Sequence, residues 1–269
     1  MARVSLILVT WNSARFLPRC LDGIAQQTFR DTELIVVDNG SADDSVAIVR
    51  ARFPGATIVQ NAGNEGFSRA VNQGIAHASG EFVQLVNPDA FLGPEYVAKL
   101  VEAFGSPQSS HLGPRMNNSA DPRSEDRGPR TDIGSATGKL LKAEGIGVDS
   151  KGIRMTRTGR HFDVEEGEER DVFGVSGAAA MHRMSFVRDV TLSDGQFLDE
   201  DFFTYREDAD VAWRGRLFGW RAVYVPDALG WHVRTVTPQK RRELPAFINM
   251  HSVKNRFMMR IKNEGLYLA

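Results

Sequence analysis

The N-terminal part of the chain alternates short apolar segments with segments of helical spacing, and this order constrains the fold more than any other feature. The spacing predicts buried strands over residues 4–10, 33–37, 57–60 and 82–86. Helices are predicted after them, over residues 14–27, 41–52, 66–77 and 94–104. Strands and helices that alternate at this length form a mostly parallel, Rossmann-like sheet with right-handed crossovers. The sequence therefore predicts an α/β fold.

Mostly polar residues follow the predicted strands, at the edge where such a sheet binds ligands. Open α/β sheets bind ligands beyond the carboxyl ends of their strands. In this chain those positions hold Thr10, Trp11, Asn12, Asp38, Asn39, Asn61 and Asp89. Few of them are β-branched, as expected for loop positions rather than strand positions. The sequence therefore predicts a binding site along this edge, which we call the crest.

Three acidic residues lie within four positions at the start of a helix predicted over residues 208–218: Glu207, Asp208 and Asp210. A carboxylate that is held rigidly at a helix start can serve as a general base. The structural alternative is that acids in a first turn complement the helix dipole, and that Asp210 pairs with Arg214 at the i,i+4 spacing. We assign Asp210 to that pair and keep Glu207 and Asp208 as catalytic candidates.

Asp89, at the end of the fourth predicted strand, and His232, far downstream, are candidates for holding a divalent metal ion. Mg²⁺ and Mn²⁺ bind carboxylate and phosphate oxygens, so an acid beside a phosphate site suits them. Structural roles are the alternative. Asn87-Pro88-Asp89 is a good turn sequence in any protein, and a single histidine after Gly-Trp is often structural.

Charge and cysteine content narrow the class of protein. The formal net charge of −1 gives no sign of a nucleic-acid partner. A single cysteine, Cys20, excludes an internal disulfide and fits a reducing, cytoplasmic compartment. The apolar run near the N-terminus is too short for a signal peptide or a membrane span and reads as a buried strand.

The middle of the chain changes composition. Ser, Pro, Gly, Asn and charged residues dominate from residue 105, and apolar periodicity is lost. We expect one domain over residues 1–269, in which an irregular insertion (105–171) separates an N-terminal part (1–104) from a C-terminal part (172–269). Residues 115–135 are predicted to form a mobile lid that closes over ligand. A passive surface insertion is the alternative.

A helix is predicted near the C-terminus, over residues 244–262. Its apolar residues are spaced for burial: Phe247, Ile248, Val253, Phe257 and Ile261. Its basic residues Arg256, Arg260 and Lys262 leave a second interpretation open, because a basic amphipathic helix can lie on an anionic membrane surface. The sequence thus allows either a packed helix with a solvated basic face or peripheral membrane contact.

Taken in order, several segments resemble the inverting family 2-type glycosyltransferases, the large family of GT-A fold that includes cellulose, chitin and rhamnosyl transferases. The segments are VSLILVTWNSARFLPRCLDGIAQQ, ELIVVDNGSADDS, NAGNEGFSRAVNQGIAHASGEFVQLVNPDAFL, GAAAMHRMSF and FLDEDFFTYREDADVAWRGRLFGWRAVYVPDALGWH. The chain looks most like the rhamnosyltransferase-like branch, in which N-P-D stands where other members have D-x-D. One carboxylate at that motif allows either weak metal dependence or a rearranged coordination shell.

The resemblance implies that residues 1–104 form the nucleotide-sugar-binding half and residues 172–269 the acceptor and catalytic half. It also implies a role for each candidate residue. Asp208 matches the general base, with Glu207 as its neighbour in the E-D motif, and Asp89 and His232 match positions that reach Mg²⁺ or Mn²⁺ or the diphosphate. The implied nucleotide-sugar site contains Thr10, Trp11, Asn12, Asp38, Asn61, Asn64, Gly66, Phe67, Arg69 and Asn87. Gly66 opens a helix whose N–H groups are predicted to meet phosphate or sugar oxygens.

The implied reaction transfers a sugar from a nucleoside diphosphate to a glycan or lipid-linked acceptor in cell-surface polysaccharide synthesis. Asp38 can accept a hydrogen bond from N3–H of uracil or thymine, so a UDP- or dTDP-linked donor is expected, with rhamnose as the leading sugar. A non-catalytic nucleotide-sugar or glycan-binding module is the alternative. A nucleotidyltransferase is disfavoured because Thr10-Trp11-Asn12-Ser13 replaces the Gly-rich basic loop that class needs.

Overall fold

The computed structural model describes residues 3–105, 132–144, 146–234 and 246–264. Its strands are β1 (Val4–Thr10), β2 (Thr32–Asp38), β3 (Thr57–Gln60), β4 (Phe82–Val86), β5 (Ala90–Leu92), β6 (Ile133–Lys142), β7 (Val148–Ser150), β8 (Ile153–Met155), β9 (His161–Asp163), β10 (Asp171–Val172), β11 (Ala180–Arg183) and β12 (Arg221–His232). Its helices are α1 (Leu17–Ala25), α2 (Ser45–Arg52), α3 (Phe67–His77), α4 (Tyr96–Gly105), α5 (Met184–Val190), α6 (Glu207–Leu217) and α7 (Ala246–Asn263), with a short 3-10 helix over Glu200–Phe202. The predicted alternation of strands and helices up to α4 is confirmed.

A large sheet forms the centre of the molecule, with the strand order β10-β12-β6-β11-β4-β1-β2-β3. Strands β3, β2, β1 and β4 run parallel. β1 is buried along its whole length, as expected where helices cover both faces of parallel strands. The register pairs Thr10 with Asp38 and Asp38 with Gln60, so the carboxyl ends of β1, β2 and β3 meet at one edge. The predicted α/β fold is confirmed, and the strand ends that carry the crest residues lie together at this edge, while ligand binding there stays a prediction.

The second half of the chain extends the sheet beyond β4. β11 lies antiparallel between β4 and β6, and β6 runs parallel to β12. β6 starts at Ile133, so the expectation of irregular structure is wrong for this part of the insertion. Small residues in β6 hide the apolar pattern by which a buried strand is predicted. A β-carbon on Gly134 would lie 2.5 Å from Cδ2 of Phe186, and one on Gly138 would lie 2.4 Å from Cε2 of Tyr96. Bulky neighbours fill the space that these glycines leave.

Most of the predicted lid, residues 115–131, falls outside the described residues, and its closure stays a prediction. The division into a nucleotide-binding half, an insertion and a catalytic half likewise stays a prediction. Within the described part of the chain, no helix is both long enough and apolar enough to cross a membrane.

Helix α6 is anchored by a buried ion pair. Nε of Arg214 donates to Oδ2 of Asp210 at 2.9 Å, as predicted from their spacing. The same guanidinium donates to the main-chain oxygens of Val190 and Phe197. Asn263 of α7 donates to the other Asp210 oxygen at 2.6 Å. These bonds satisfy both buried charges, so α6 has a fixed position relative to α5 and α7.

The predicted burial of apolar residues on α7 is wrong for the side chains that the structure describes. Phe247, Val253, Phe257 and Ile261 are all at least half exposed. The opposite side of the helix is buried instead, and apart from Met259 it is polar: His251, Ser252, Asn255, Met259 and Asn263. The reason is that the loop before α6 presents main-chain oxygens to this helix, and polar side chains are needed to bind them.

Candidate active site

Two buried oxygens at the crest have no hydrogen-bond partner among the residues that the structure describes. They are Oγ1 of Thr10 and Oδ1 of Asp38, which belong to residues paired in the register of β1 and β2. The second carboxylate oxygen of Asp38 accepts from the N–H of Ser41 at 3.1 Å. An unpaired buried carboxylate oxygen is costly, and a ligand N–H would satisfy it. Asp38 is therefore placed to bind a donor group on a ligand.

The neighbouring crest residues surround this position in different ways. Trp11 is 53% exposed, so its ring is available for stacking. Asn12 adopts a left-handed backbone (φ 48°), and its side chain accepts from the N–H of Ala42. Asn61 is engaged with Asn39 and Gln73, which makes its amide part of the framework.

The loop before α3 joins the crest to the loop before α6. Oδ1 of Asn64 accepts from the N–H of Gly66 at 3.0 Å. The N–H groups of Phe67 and Ser68 donate to the main-chain oxygen of Phe203, at 2.6 and 3.3 Å. The structure thus gives these two N–H groups a protein acceptor in place of the predicted phosphate. Arg69, the predicted diphosphate contact, is half exposed and paired with Glu65 at 2.9 Å.

Asp208 lies beside this junction. Its Oδ2 accepts from the N–H of Gly177 at 3.2 Å, and its Oδ1 accepts from the N–H of Ala209. A β-carbon on Gly177 would lie 3.7 Å from Cβ of Asp208 and 3.9 Å from Cε1 of Phe67. The absence of a side chain at Gly177 therefore leaves space between Asp208 and the crest.

Glu207 differs from its neighbour because it is buried. Its Oε2 has no hydrogen-bond partner in the described part of the chain, and its side chain lines a largely apolar cavity with Phe67, His182 and Trp220. Burial, reinforced by the negative charge of Asp208, raises the pKa of Glu207 to about 8. Glu207 is thus a neutral carboxylic acid at pH 7, which suits a positioning role rather than that of a base.

The other candidates meet at the ends of β4 and β12. The N–H of Asn87 donates to the main-chain oxygen of Ala178, adjacent to Gly177. Nε2 of His232 lies 3.5 Å from Oδ1 of Asp89. The two predicted metal-site residues are therefore neighbours, and the loop through Ala178 lies between them and Asp208.

A buried carboxylate that the sequence analysis missed holds His232. Oδ2 of Asp149 lies 2.9 Å from Nδ1 of His232, and its Oδ1 accepts from Nε of Arg234 at 2.7 Å. Arg234 also donates to Asp163. Burial alone would lower the pKa of His232, but the hydrogen bonds and charges of Asp149 and Asp89 raise it to about 9. The same contacts outweigh burial at Asp149 and hold its pKa below the usual range.

The donor set at this position fits a divalent metal ion only with help from a ligand. Asp89 offers a carboxylate, and a His232 held at Nδ1 by a carboxylate has the orientation common among metal-bound histidines. Among the described residues, however, no group of three or more His, Cys, Asp or Glu side chains is arranged to hold a metal. Phosphate oxygens and water would complete the shell, as is usual for Mg²⁺.

The sequence carried little signal for Asp149 or for the residues that hold the Asp208 loop. Asp149 lies on β7, in the segment predicted as irregular, 83 positions before His232. The loop before α6 has three non-glycine residues in left-handed conformations, Phe203, Tyr205 and Arg206. The buried amide nitrogen of Asn255 lies 2.8 Å from the main-chain oxygens of Phe202, Thr204 and Tyr205. These contacts offset the strain of that backbone.

Glu207 is expected to make stability depend on pH. Its folded pKa lies above the value of 4.5 for an unperturbed glutamate, so its contribution is fully present below pH 4.5 and is lost as pH rises through about 8. Replacing Glu207 by Gln removes this loss. Denaturant titrations should show that the free energy of unfolding of the variant, relative to that of the parent, increases by up to about 1.4 kcal/mol per pH unit between pH 4.5 and about 8. Exposed Glu102→Gln is the control, and a constant difference at every pH would refute the buried neutral acid.

The chain is similar in sequence to known glycosyltransferases. The family described as Glycosyl transferase family 2 matches residues 5–162. An uncharacterized glycosyltransferase of Mycobacterium tuberculosis is 40% identical over 103 residues, which are 38% of this chain and 39% of that protein. The chain therefore spans about two fifths of the length of that relative. The N-acetylglucosaminyl-diphospho-decaprenol L-rhamnosyltransferase of the same species is 29% identical over 235 residues, covering 83% of this chain and 73% of that protein.

Solved structures show the same fold. A mannosyltransferase from Pyrobaculum calidifontis, in complex with GDP-Man and Mn²⁺, superposes with a TM-score of 0.65 at 20% identity, covering 97% of this chain and 64% of that one. S. aureus TarS 1–349 in complex with UDP-GlcNAc gives 0.59 at 18% identity, over 87% and 59% of the two chains. Both are GT-A glycosyltransferases, which confirms the predicted fold type. Because the family match covers more than half of its residues, the chain belongs to glycosyl transferase family 2.

Proposed function

We propose that this glycosyltransferase is an inverting enzyme that uses Asp208 as its general base. The observation that carries the proposal is the loop through Gly177 and Ala178. It binds the Asp208 carboxylate on one side and the main chain of Asn87 on the other. The proposed base, Asp208, and the acidic residue on the proposed diphosphate side, Asp89, thus lie on opposite sides of one short loop. Displacement at an anomeric carbon requires groups on both sides of that carbon.

In the proposed reaction an acceptor hydroxyl gives its proton to the Asp208 carboxylate as its oxygen attacks the anomeric carbon. The bond from that carbon to the diphosphate breaks on the opposite face, and the leaving group keeps the electron pair. Asp89 and His232 would hold a divalent cation, which supplies positive charge to the diphosphate. Glu207 is buried behind Asp208 and positions it.

The donor is proposed to be a pyrimidine nucleotide sugar, with dTDP-rhamnose first and UDP-hexoses second. The unpaired Oδ1 of Asp38 supports a pyrimidine nucleobase, because a hydrogen-bond acceptor there matches N3–H of thymine or uracil. The similarity to a mycobacterial rhamnosyltransferase supports the sugar. The fold does not determine the nucleobase of the donor, since the structural neighbours are named with GDP-Man or UDP-GlcNAc.

The acceptor is proposed to be a lipid-linked glycan on the cytoplasmic side of the membrane, in cell-surface polysaccharide synthesis. The rhamnosyltransferase relative is named for an N-acetylglucosaminyl-diphospho-decaprenol acceptor. A short-chain analogue of such a lipid, with a panel of nucleotide sugars, is therefore the first assay. Release of nucleoside diphosphate that requires both substrates would establish transfer.

Asp208→Asn should abolish transfer while leaving donor binding nearly intact, because it removes the base but keeps the shape of the side chain. Loss of a general base costs roughly 100- to 10,000-fold in rate. Turnover and donor affinity should be measured side by side, with exposed Asp227→Asn as the matched control. Turnover close to that of the parent would remove Asp208 from the mechanism. Loss of donor binding to the same degree would favour a binding role.

Asp38→Asn should weaken dTDP and UDP binding because the amide presents a donor where the ligand also has one. A hydrogen bond to a charged group is worth about 1.5–3 kcal/mol, so affinity should fall roughly 10- to 100-fold. Calorimetry on dTDP, UDP and GDP would measure this, and exposed Asp44→Asn is the control. Tight GDP binding without a response to dTDP or UDP would overturn the pyrimidine assignment.

Asp89→Ala should weaken nucleoside diphosphate binding only when Mg²⁺ or Mn²⁺ is present, because the carboxylate acts through the cation. Asp149→Asn should reduce the same metal-dependent gain by a smaller factor, since Asp149 acts by orienting His232. Calorimetry with and without the metal gives the gain directly, and Asp227→Ala is the control. The same gain in the parent and in Asp89→Ala would exclude Asp89 as a ligand.

A further inference from the structure

Helix α7 has its apolar and polar sides reversed relative to an ordinary surface helix. Met250, Val253, Phe257 and Ile261 recur at three- and four-residue intervals and therefore share one side of the helix. They are 50% to 80% exposed. We call these four residues the outer face of α7. Surface helices normally turn such a stripe toward the core. Binding of a partner to the outer face would remove this apolar surface from water.

The inner side of α7 explains the reversal, because its polar side chains bind the loop before α6 and the first turn of α6. Asn255 binds the main-chain oxygens of the loop before α6, and Asn263 binds Asp210. His251 stacks on Phe203 with ring centroids 5.0 Å apart. These contacts fix the rotation of the helix about its axis. The outer face must therefore point away from the site.

The charge of α7 identifies the chemistry of the partner. The helix carries Lys254, Arg256, Arg260 and Lys262 and contains no Asp or Glu, whereas the whole chain has a net charge of −1. Arg260 is paired with Glu264, directly after the helix, and Lys262 is paired with Asp199. Lys254 and Arg256 therefore remain as the cations for a partner. Lys254 lies within the apolar stripe, and its long side chain can extend its ammonium group to an interface. Arg256 borders the stripe. An apolar stripe bordered by cations is the pattern of helices that lie in the surface of an anionic bilayer.

We propose that the outer face of α7 docks on an anionic lipid bilayer and that the helix thereby holds the Asp208 loop at the membrane surface. The apolar side chains would enter the acyl boundary while Lys254 and Arg256 meet lipid phosphates. Because the inner side of the same helix binds the loop before Asp208, docking sets the orientation of the site relative to lipid headgroups. This step deepens the proposed function, since it rests on an acceptor that is lipid-linked.

Vesicle sedimentation of the full chain tests the docking surface without any sugar nucleotide or acceptor. The probes are vesicles of phosphatidylcholine mixed with phosphatidylglycerol, and vesicles of phosphatidylcholine alone. We expect the parent to partition onto the anionic vesicles, less so at high salt. Phe257→Ser with Ile261→Ser should lower the partition coefficient at least about tenfold, because both side chains lose apolar burial. Lys254→Gln and Arg256→Gln should each lower it about fivefold.

The matched control replaces two exposed apolar residues elsewhere, Ile146→Ser with Leu217→Ser, and should partition like the parent. All variants change exposed or partly exposed side chains, and a melting curve checks that each is folded. Equal partition of the parent and of Phe257→Ser with Ile261→Ser would overturn the proposal, as would a parent that stays in the supernatant with both vesicles. Light scattering that shows a dimer, which the same double variant converts to a monomer, would assign the face to a second copy instead.

The kinetic consequence separates docking from transfer. On a water-soluble acceptor analogue, Phe257→Ser with Ile261→Ser should turn over like the parent, because the site is untouched. On the same acceptor embedded in anionic vesicles the variant should be slower by the factor found in sedimentation. Inactivity of both proteins on every acceptor would count against the proposed function while leaving the sedimentation result in place. Equal rates on embedded acceptor would overturn the coupling of docking to catalysis.

Discussion

The main-chain oxygen of Phe203 is the contact on which the rest of the site depends. It accepts from the N–H groups of Phe67 and Ser68 and so binds the loop before Asp208 to the first turn of α3. Gly66 permits this approach, since a β-carbon there would lie 2.6 Å from the Phe203 ring. The contact brings the loop before α6 against the crest. A substitution at Gly66 would separate the proposed base from the proposed donor site.

Burial and pairing give the acidic residues of the site different properties, although their side-chain chemistry is nearly the same. Glu207 is enclosed by apolar neighbours and is neutral at pH 7, whereas Asp208 is only partly buried and accepts two main-chain N–H bonds. Asp210 is held by Arg214 and anchors α6. Asp149 is almost fully buried but lies against His232 and Arg234. Environment, more than residue type, thus separates the proposed base, the proposed positioning acid and the structural anchor.

Much of the fold could be predicted because the pattern there is local. The strands β1 to β4 are short apolar runs, the helices between them have regular spacing, and Asp38 and Asp89 follow strands directly. β6 could not be predicted in the same way. Gly134, Ser135, Thr137 and Gly138 form a central strand because Phe186 and Tyr96 fill the space above them, and those neighbours come from other parts of the chain. The left-handed loop before Asp208 also gave no local signal, because Asn255 of α7 supports it from a distance.

The sequence alone determined the α/β class, the polar residues at the carboxyl ends of the parallel strands, and the acids at the start of α6, because each depends on residues close together in the chain. The tertiary structure alone decided which of those acids is neutral, that Asp149 orients His232, and that α7 turns its polar side inward. The physical reason is the same for all three. A carboxyl pKa, a histidine's hydrogen-bond partner and the rotation of a helix depend on groups that only packing brings together. In α7 the apolar residues share one side of the helix, as their spacing indicates. The hydrogen bonds of Asn255 to Phe202 and of Asn263 to Asp210 nevertheless turn the other side toward the core.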